Sequence, residues 1–142
     1  MFATASADPS ESQRLRGLGG RIFAVEVFDP DGTFLFPNCY TFYADGTWDD
    51  PGFPVLGTWS QNSTGAKTSY TAGATALEFD IGDPGTPFLV TLQLDQEGTV
   101  TPARGKGVLQ LEAYSVATIV ELGNLVVGEF VSVGHEVDEC PL

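Results

Sequence analysis

Three glutamates stand inside otherwise apolar stretches of the chain: Glu26 in residues 21–28, Glu112 in 108–120 and Glu129 in 125–133. A carboxyl turned into a protein interior loses its hydration, and its pKa rises toward the range suited to acid–base work. Tyr70, in the β-type stretch 66–72, carries a hydroxyl that donates or accepts a hydrogen bond. Glu26, Tyr70, Glu112 and Glu129 are therefore the candidate catalytic residues. Glu26 is foremost, because Ile22, Ala24 and Phe28 share its face at a period of two. Arg104 or Lys106 is the cation expected to pair with such a glutamate or to hold an anionic substrate. The plainer alternative is that each glutamate faces water from the outer side of its strand, since unpaired carboxylates are rarely buried.

Other chemistries find less support. His135 is the only histidine, so no multi-histidine metal site can form. It lies among Glu136, Asp138 and Glu139 and reads as a surface residue, with general-base work as the alternative. No serine or cysteine has a nucleophile-elbow context. Asp29-X-Asp31-Gly32 has the opening of a calcium loop, but Thr33 stands at the next ligand position and no glutamate follows at the twelfth. Turn chemistry accounts for these aspartates, and neither metal nor cofactor is expected. Cys39 and Cys140 lack the CxxC spacing of zinc or redox sites. An even pair with one member beside the C-terminus reads as a disulfide; two separately buried thiols are the alternative. In the chain-entropy model such a bridge is worth about 4–5 kcal/mol.

Charge narrows the partners. The formal net charge is −13, from 19 acids against 6 bases. Nucleic acid is excluded as a partner, because phosphate binding needs Lys and Arg to displace counterions. An anionic membrane surface is disfavoured for the same reason, and no apolar run approaches the roughly 18 residues of a membrane span. No apolar signal segment precedes residue 20, although Ala-Thr-Ala-Ser-Ala at 3–7 resembles the neighbourhood of a cleavage site. With the cysteine pair, a secreted or periplasmic location is the expectation and a cytoplasmic one the alternative.

The elements that must position these residues are strands. The 142 residues suit one domain. Ten Phe with abundant Val and Thr, punctuated by 17 Gly and 9 Pro, make an all-β composition. Residues 1–20 read as a flexible polar tail, and 21–142 as the domain. Within it eight or nine short strands alternate with turns such as Asp29-Pro30-Asp31-Gly32 and Asp45-Gly46. Residues 75–81 alternate with Thr75, Leu77, Phe79 and Ile81 on the expected inner face. Residues 88–95 do the same with Phe88, Val90, Leu92 and Leu94. Gln96-Glu97-Gly98 reads as a turn. Sequential hairpins give a single antiparallel meander, and closure into a barrel of about eight strands removes its open edges.

Gly57-Thr58-Trp59 resembles the Gly-X-Trp of lipocalins and related calycin barrels, although here at least two strands precede it. The resemblance implies that Trp59 closes one barrel end and that Gly57 allows a close chain passage. The meander and its length also resemble allene oxide cyclase-type barrels. A cupped barrel of this size holds one small apolar ligand or fills with its own side chains. Trp59, Gln61, Phe79, Leu92, Leu111 and Phe130 are the candidate ligand-binding residues. Binding of a small apolar or amphipathic molecule is the first functional expectation. A cofactor-free isomerase or cyclase acting on a flexible apolar substrate is the second. The third is a structural domain that forms homo-oligomers through the two-sided apolar strand at 22–28.

Overall fold

The structure, a computed structural model, describes residues 17–64, 67–103 and 107–142. It is a closed antiparallel barrel of eight strands in sequence order. The strands are β1 (Arg21–Phe28), β2 (Phe34–Phe42), β3 (Thr47–Asp49), β4 (Gly57–Thr64), β5 (Lys67–Asp80), β6 (Leu89–Pro102), β7 (Leu109–Ile119) and β8 (Leu125–Val137). Closure comes from β1, which pairs with β2 on one side and β8 on the other. A 3-10 turn, Val120–Leu122, joins β7 to β8. The expected meander and its closure are both present.

Several residues that read as strand breaks lie inside strands. Gly98 is in the middle of β6, not in a turn. A Cβ there would come 2.3 Å from the Tyr70 ring, so the glycine makes room for an aromatic side chain inside the barrel. Pro37 is likewise inside β2. Proline is tolerated where one strand edge is free, and β3 pairs with β2 only at Thr41 and Phe42. The strand expected to stop at residue 133 runs on to Val137, so His135 is a strand residue, exposed and paired with Ala24.

The inner face of β5 also differs from expectation. Ala72, Ala74 and Ala76 point inward and are buried, while Leu77 is 73% exposed. A bulge between Ala76 and Phe79, with Glu78 at φ 54°, resets the alternation beyond it. The alanines match the bulk opposite them. Phe42 is met edge-on by the rings of Phe23 at 5.8 Å, Trp59 at 5.6 Å and Tyr70 at 4.8 Å. Each such contact is worth about 0.5–1.5 kcal/mol beyond the area it buries. Trp48 is fully buried beside Tyr40.

One end of the barrel is plugged. Leu18 is completely buried, and its N–H donates to Gln61 Oε1 at 2.9 Å. The Gly20 N–H donates to the Phe42 carbonyl at 2.6 Å. Arg21 Nη1 reaches Glu136 Oε2 at 2.6 Å from the neighbouring strand. The segment expected to be a tail up to Gly20 is therefore docked from Leu18 onward; residues 1–16 lie outside the described residues. The disulfide joins Cys39 to Cys140 with a Cα separation of 6.0 Å. Cys39 faces outward between the inward residues Asn38 and Tyr40, so the bridge straps the C-terminal segment to the outside of β2.

Candidate functional site

The other end of the barrel is not plugged. Four connections meet there, residues 29–33, 50–56, 81–88 and 120–124. Because β3 is only three residues long, the β2 residues above Thr41 have no partner on that side. The connection 50–56 covers the gap. Its first turn is set by Asp50, whose Oδ1 accepts the Gly52 N–H at 2.8 Å while its carbonyl accepts the Phe53 N–H at 2.9 Å. This is the aspartate-initiated turn expected of Asp-Pro-Gly. It carries the Asp50 carboxyl and the Phe53 ring over the barrel interior.

Beneath them lies a cavity of about 180 Å³. Its apolar wall includes Val27, Phe36, Phe53, Leu92, Ala117 and Phe130. Its polar wall is Asn38, Tyr40, Asp50 and Ser115. Asn38 Nδ2 donates to Asp50 Oδ1 at 2.7 Å, and Asn38 Oδ1 in turn accepts the Cys39 N–H at 2.9 Å. Burial pushes the Asp50 carboxyl above its ordinary 3.8, against the opposing pull of the Asn38 and Gly52 hydrogen bonds; the neighbouring Asp49 charge adds to the rise. Of the polar side chains at the cavity wall, only Asp50 is a carboxylate.

Deeper in the barrel two sets of hydroxyl and amide groups satisfy one another, while the buried Trp48 indole N–H has no partner among the described residues. Tyr40 Oη and Ser132 Oγ share a hydrogen bond of 2.6 Å. The Tyr70 hydroxyl donates to Gln96 Oε1, and Gln96 Nε2 donates to Ser115 Oγ at 2.8 Å. Burial pushes the Tyr40 phenol up to about 12 and that of Tyr70 well above its usual value. Both tyrosines are therefore neutral hydrogen-bonding groups at physiological pH.

Around the opening the surface is apolar. Phe34, Phe88, Leu89, Leu122 and Leu125 stand at this end, each 47–52% exposed. Larger depressions of about 540, 600 and 820 Å³ lie along the outer wall. They are open to water and none is lined by a buried carboxyl, so the chemistry converges on the smaller cavity.

The residues singled out from sequence are distributed as follows. Glu26, Glu112 and Glu129 all face outward and are exposed; the interior placement that would have desolvated them is not adopted. The exposed Tyr114 hydroxyl donates to Glu129 on the outer wall. Tyr70 is inside, but below the cavity and held by Gln96. Trp59 and Gln61 belong to the plugged end. There the Trp59 indole N–H donates to the Tyr43 carbonyl at 2.9 Å, and a Cβ on Gly57 would lie 2.1 Å from the Gly73 carbonyl. Leu111 is core, fully buried, and Phe79 is half-buried on β5. Leu92 and Phe130 do line the cavity. Arg104 and Lys106 lie outside the described residues. Asp50, Asn38, Phe36 and Phe53 were not legible as a site, because the Asp-Pro-Gly-Phe-Pro run reads as a corner.

No protein-family model, no curated protein and no solved structure matches this chain. The closed eight-stranded antiparallel barrel is consistent with a calycin-like architecture on geometry alone.

Proposed function

We infer that this barrel binds a small apolar or amphipathic molecule through its open end, in the manner of a calycin-like carrier. The observation that carries the reading is the cavity of about 180 Å³, apolar on most of its wall and entered through a ring of exposed apolar side chains. A dry cavity of about 150 Å³ is enough to bind benzene. The enclosed part of the ligand is then one ring or a short branched chain, and the apolar rim covers the remainder. The Cys39–Cys140 bridge fits a secreted or periplasmic carrier.

The test is an amide-shift titration with benzene. Saturable shifts confined to residues around Val27, Phe36, Phe53 and Phe130 are expected, and an Ala117→Phe variant should lose them. Shifts that never saturate, or that survive filling of the cavity, would refute the reading.

One observation favours a second reading. Asp50 combines burial, a raised pKa and a place on the cavity wall, which are the properties of a proton-transfer group. A cofactor-free isomerase or cyclase would use Asp50 as the base and the apolar wall to fold its substrate. Deuterium exchange into a bound ketone at the carbon beside its carbonyl, lost in Asp50→Asn, separates this reading from simple binding.

A further inference from the structure

The Asp50 carboxylate is half used. Its Oδ1 accepts the Asn38 and Gly52 donors, at 2.7 and 2.8 Å. Its Oδ2 takes no hydrogen bond from any described residue. The residue is only 8% exposed, and what exposure remains is toward the cavity it lines. That oxygen keeps an opening to solvent, so it is free to take a donor brought in by a ligand, and a charge-assisted hydrogen bond in a poorly solvated site is among the strong ones.

The charges around the opening point the same way. None of the four connections at this end contains a lysine or arginine, whereas they hold Asp29, Asp31, Asp50, Asp83 and Glu121. The basic residues among those described, Arg21 and Lys67, are placed elsewhere, and Arg14, Arg16, Arg104 and Lys106 lie outside the described residues. Arg21 is engaged with Glu136 at the plugged end, and Lys67 begins β5. Among the described residues the charges around the opening are therefore of one sign, a field that repels an incoming anion and draws in a cation. Phe36, Phe53 and Phe130 offer ring faces or edges on the same wall, and aromatic faces attract cations.

We propose that the natural ligand carries a hydrogen-bond donor, best a protonated amine, on its buried apolar end, and that Asp50 Oδ2 receives it. Carboxylate-headed ligands such as fatty acids are refused. This rests on the reading of the cavity as a ligand site and specifies its chemistry.

The experiment uses three probes with the same phenyl body: 2-phenylethylammonium, 2-phenylethanol and 3-phenylpropanoate. Each is titrated calorimetrically at neutral pH into the intact, disulfide-bonded protein and into Asp50→Asn, which keeps an oxygen for the Gly52 N–H. The ammonium should bind about tenfold or more tighter than the carboxylate, as expected for a charge-assisted hydrogen bond in a poorly solvated site. The alcohol should fall between them. In Asp50→Asn the advantage of the ammonium over the alcohol should vanish. Equal binding of all three probes, or preference for the carboxylate, overturns the proposal and leaves the binding site standing. Binding by none of the three overturns both. The rank order in the unsubstituted protein is decisive even if the variant folds poorly.

Discussion

Asn38 and Asp50 meet through a 2.7 Å hydrogen bond between β2 and the connection that replaces a longer β3. The two residues are 4% and 8% exposed, so neither end of this contact is compensated by bulk water. Removing the donor leaves a buried carboxylate with the Gly52 N–H alone. Asn38→Ala should cost about 1.5–3 kcal/mol, the range for a hydrogen bond to a charged group. Urea unfolding at neutral pH measures it. A loss within about 0.5 kcal/mol, typical of an ordinary surface substitution, would show that the pair does not hold the mouth together.

The same carboxyl makes stability depend on pH in an unusual direction. Its folded pKa is raised above 3.8 by burial, so the folded chain holds this proton more tightly than the unfolded chain does. The resulting stabilisation is fully present below the unfolded pKa and is lost as pH rises through the folded one. Asp31, Asp45 and Glu121 are shifted downward by their hydrogen bonds, chiefly to threonine and, for Asp31, first to Asp29. They act oppositely, but equally in wild type and in Asp50→Asn. The stability of wild type relative to Asp50→Asn should therefore increase as the pH is taken from 7 toward 4. Denaturant titrations across that window check the sign; a difference that falls on acidification contradicts the burial argument.

Gly98 and Tyr70 form a pair in which one residue exists to admit the other. A Cβ on Gly98 would fall 2.3 Å from a ring carbon of Tyr70 and 2.6 Å from its hydroxyl oxygen. Gly98→Ala should destabilise the barrel by about 1–3 kcal/mol, the range for overpacking. Much of that loss should disappear when the alanine is introduced into a Tyr70→Ala background, giving a clear coupling energy in a double-mutant cycle. Gly134→Ala supplies the contrast. Its Cβ would lie 1.9 Å from the backbone carbonyl of Ala24, which no side-chain truncation can relieve. Additive losses for Gly98 and Tyr70 would mean that the glycine serves the backbone and not the ring.

These pairs show why part of the molecule was legible and part was not. Alternation in residues 88–95 placed Val90 and Leu94 inside correctly, Leu94 standing between polar Gln93 and Asp95, but it also put Phe88 inside, and Phe88 is 52% exposed before the strand begins. On β5 the same logic put Leu77 inside, and the Glu78 bulge with the small alanines reversed it. Alternation reports one face only while the register is unbroken. Glycine and proline are ambiguous for a related reason. Gly98 looks like a strand terminator until the Tyr70 ring is placed against it, and Pro37 looks like a stop until the edge beside it is seen to be free. The site suffered most from this ambiguity. Asp50 serves first as a turn residue, and nothing local to it announces that Asn38, 12 residues earlier, waits on the next strand. The disulfide was easier, since two cysteines allow only one pairing.

The bridge supplies the last prediction, because it separates stability from binding. Cys39 is 1% exposed but points outward from β2, between two residues that point into the cavity. The bond spans 101 residues, so the unfolded chain loses a large loop-closure entropy when it is present. Replacing both cysteines by serine should lower stability by about 2–5 kcal/mol, the usual cost of losing a native disulfide from a small domain. The cavity wall itself should persist, since the β1–β2 ladder runs through Cys39 by its backbone pairing with Ala24. Benzene affinity in the folded double variant should therefore stay within about threefold of wild type, less than the 1.4 kcal/mol that separates a factor of ten. Thermal unfolding and the amide-shift titration together make the measurement. A variant that stays folded but loses its ligand would show that the strap sets the position of Asn38 and Tyr40, and not merely the entropy of the unfolded chain.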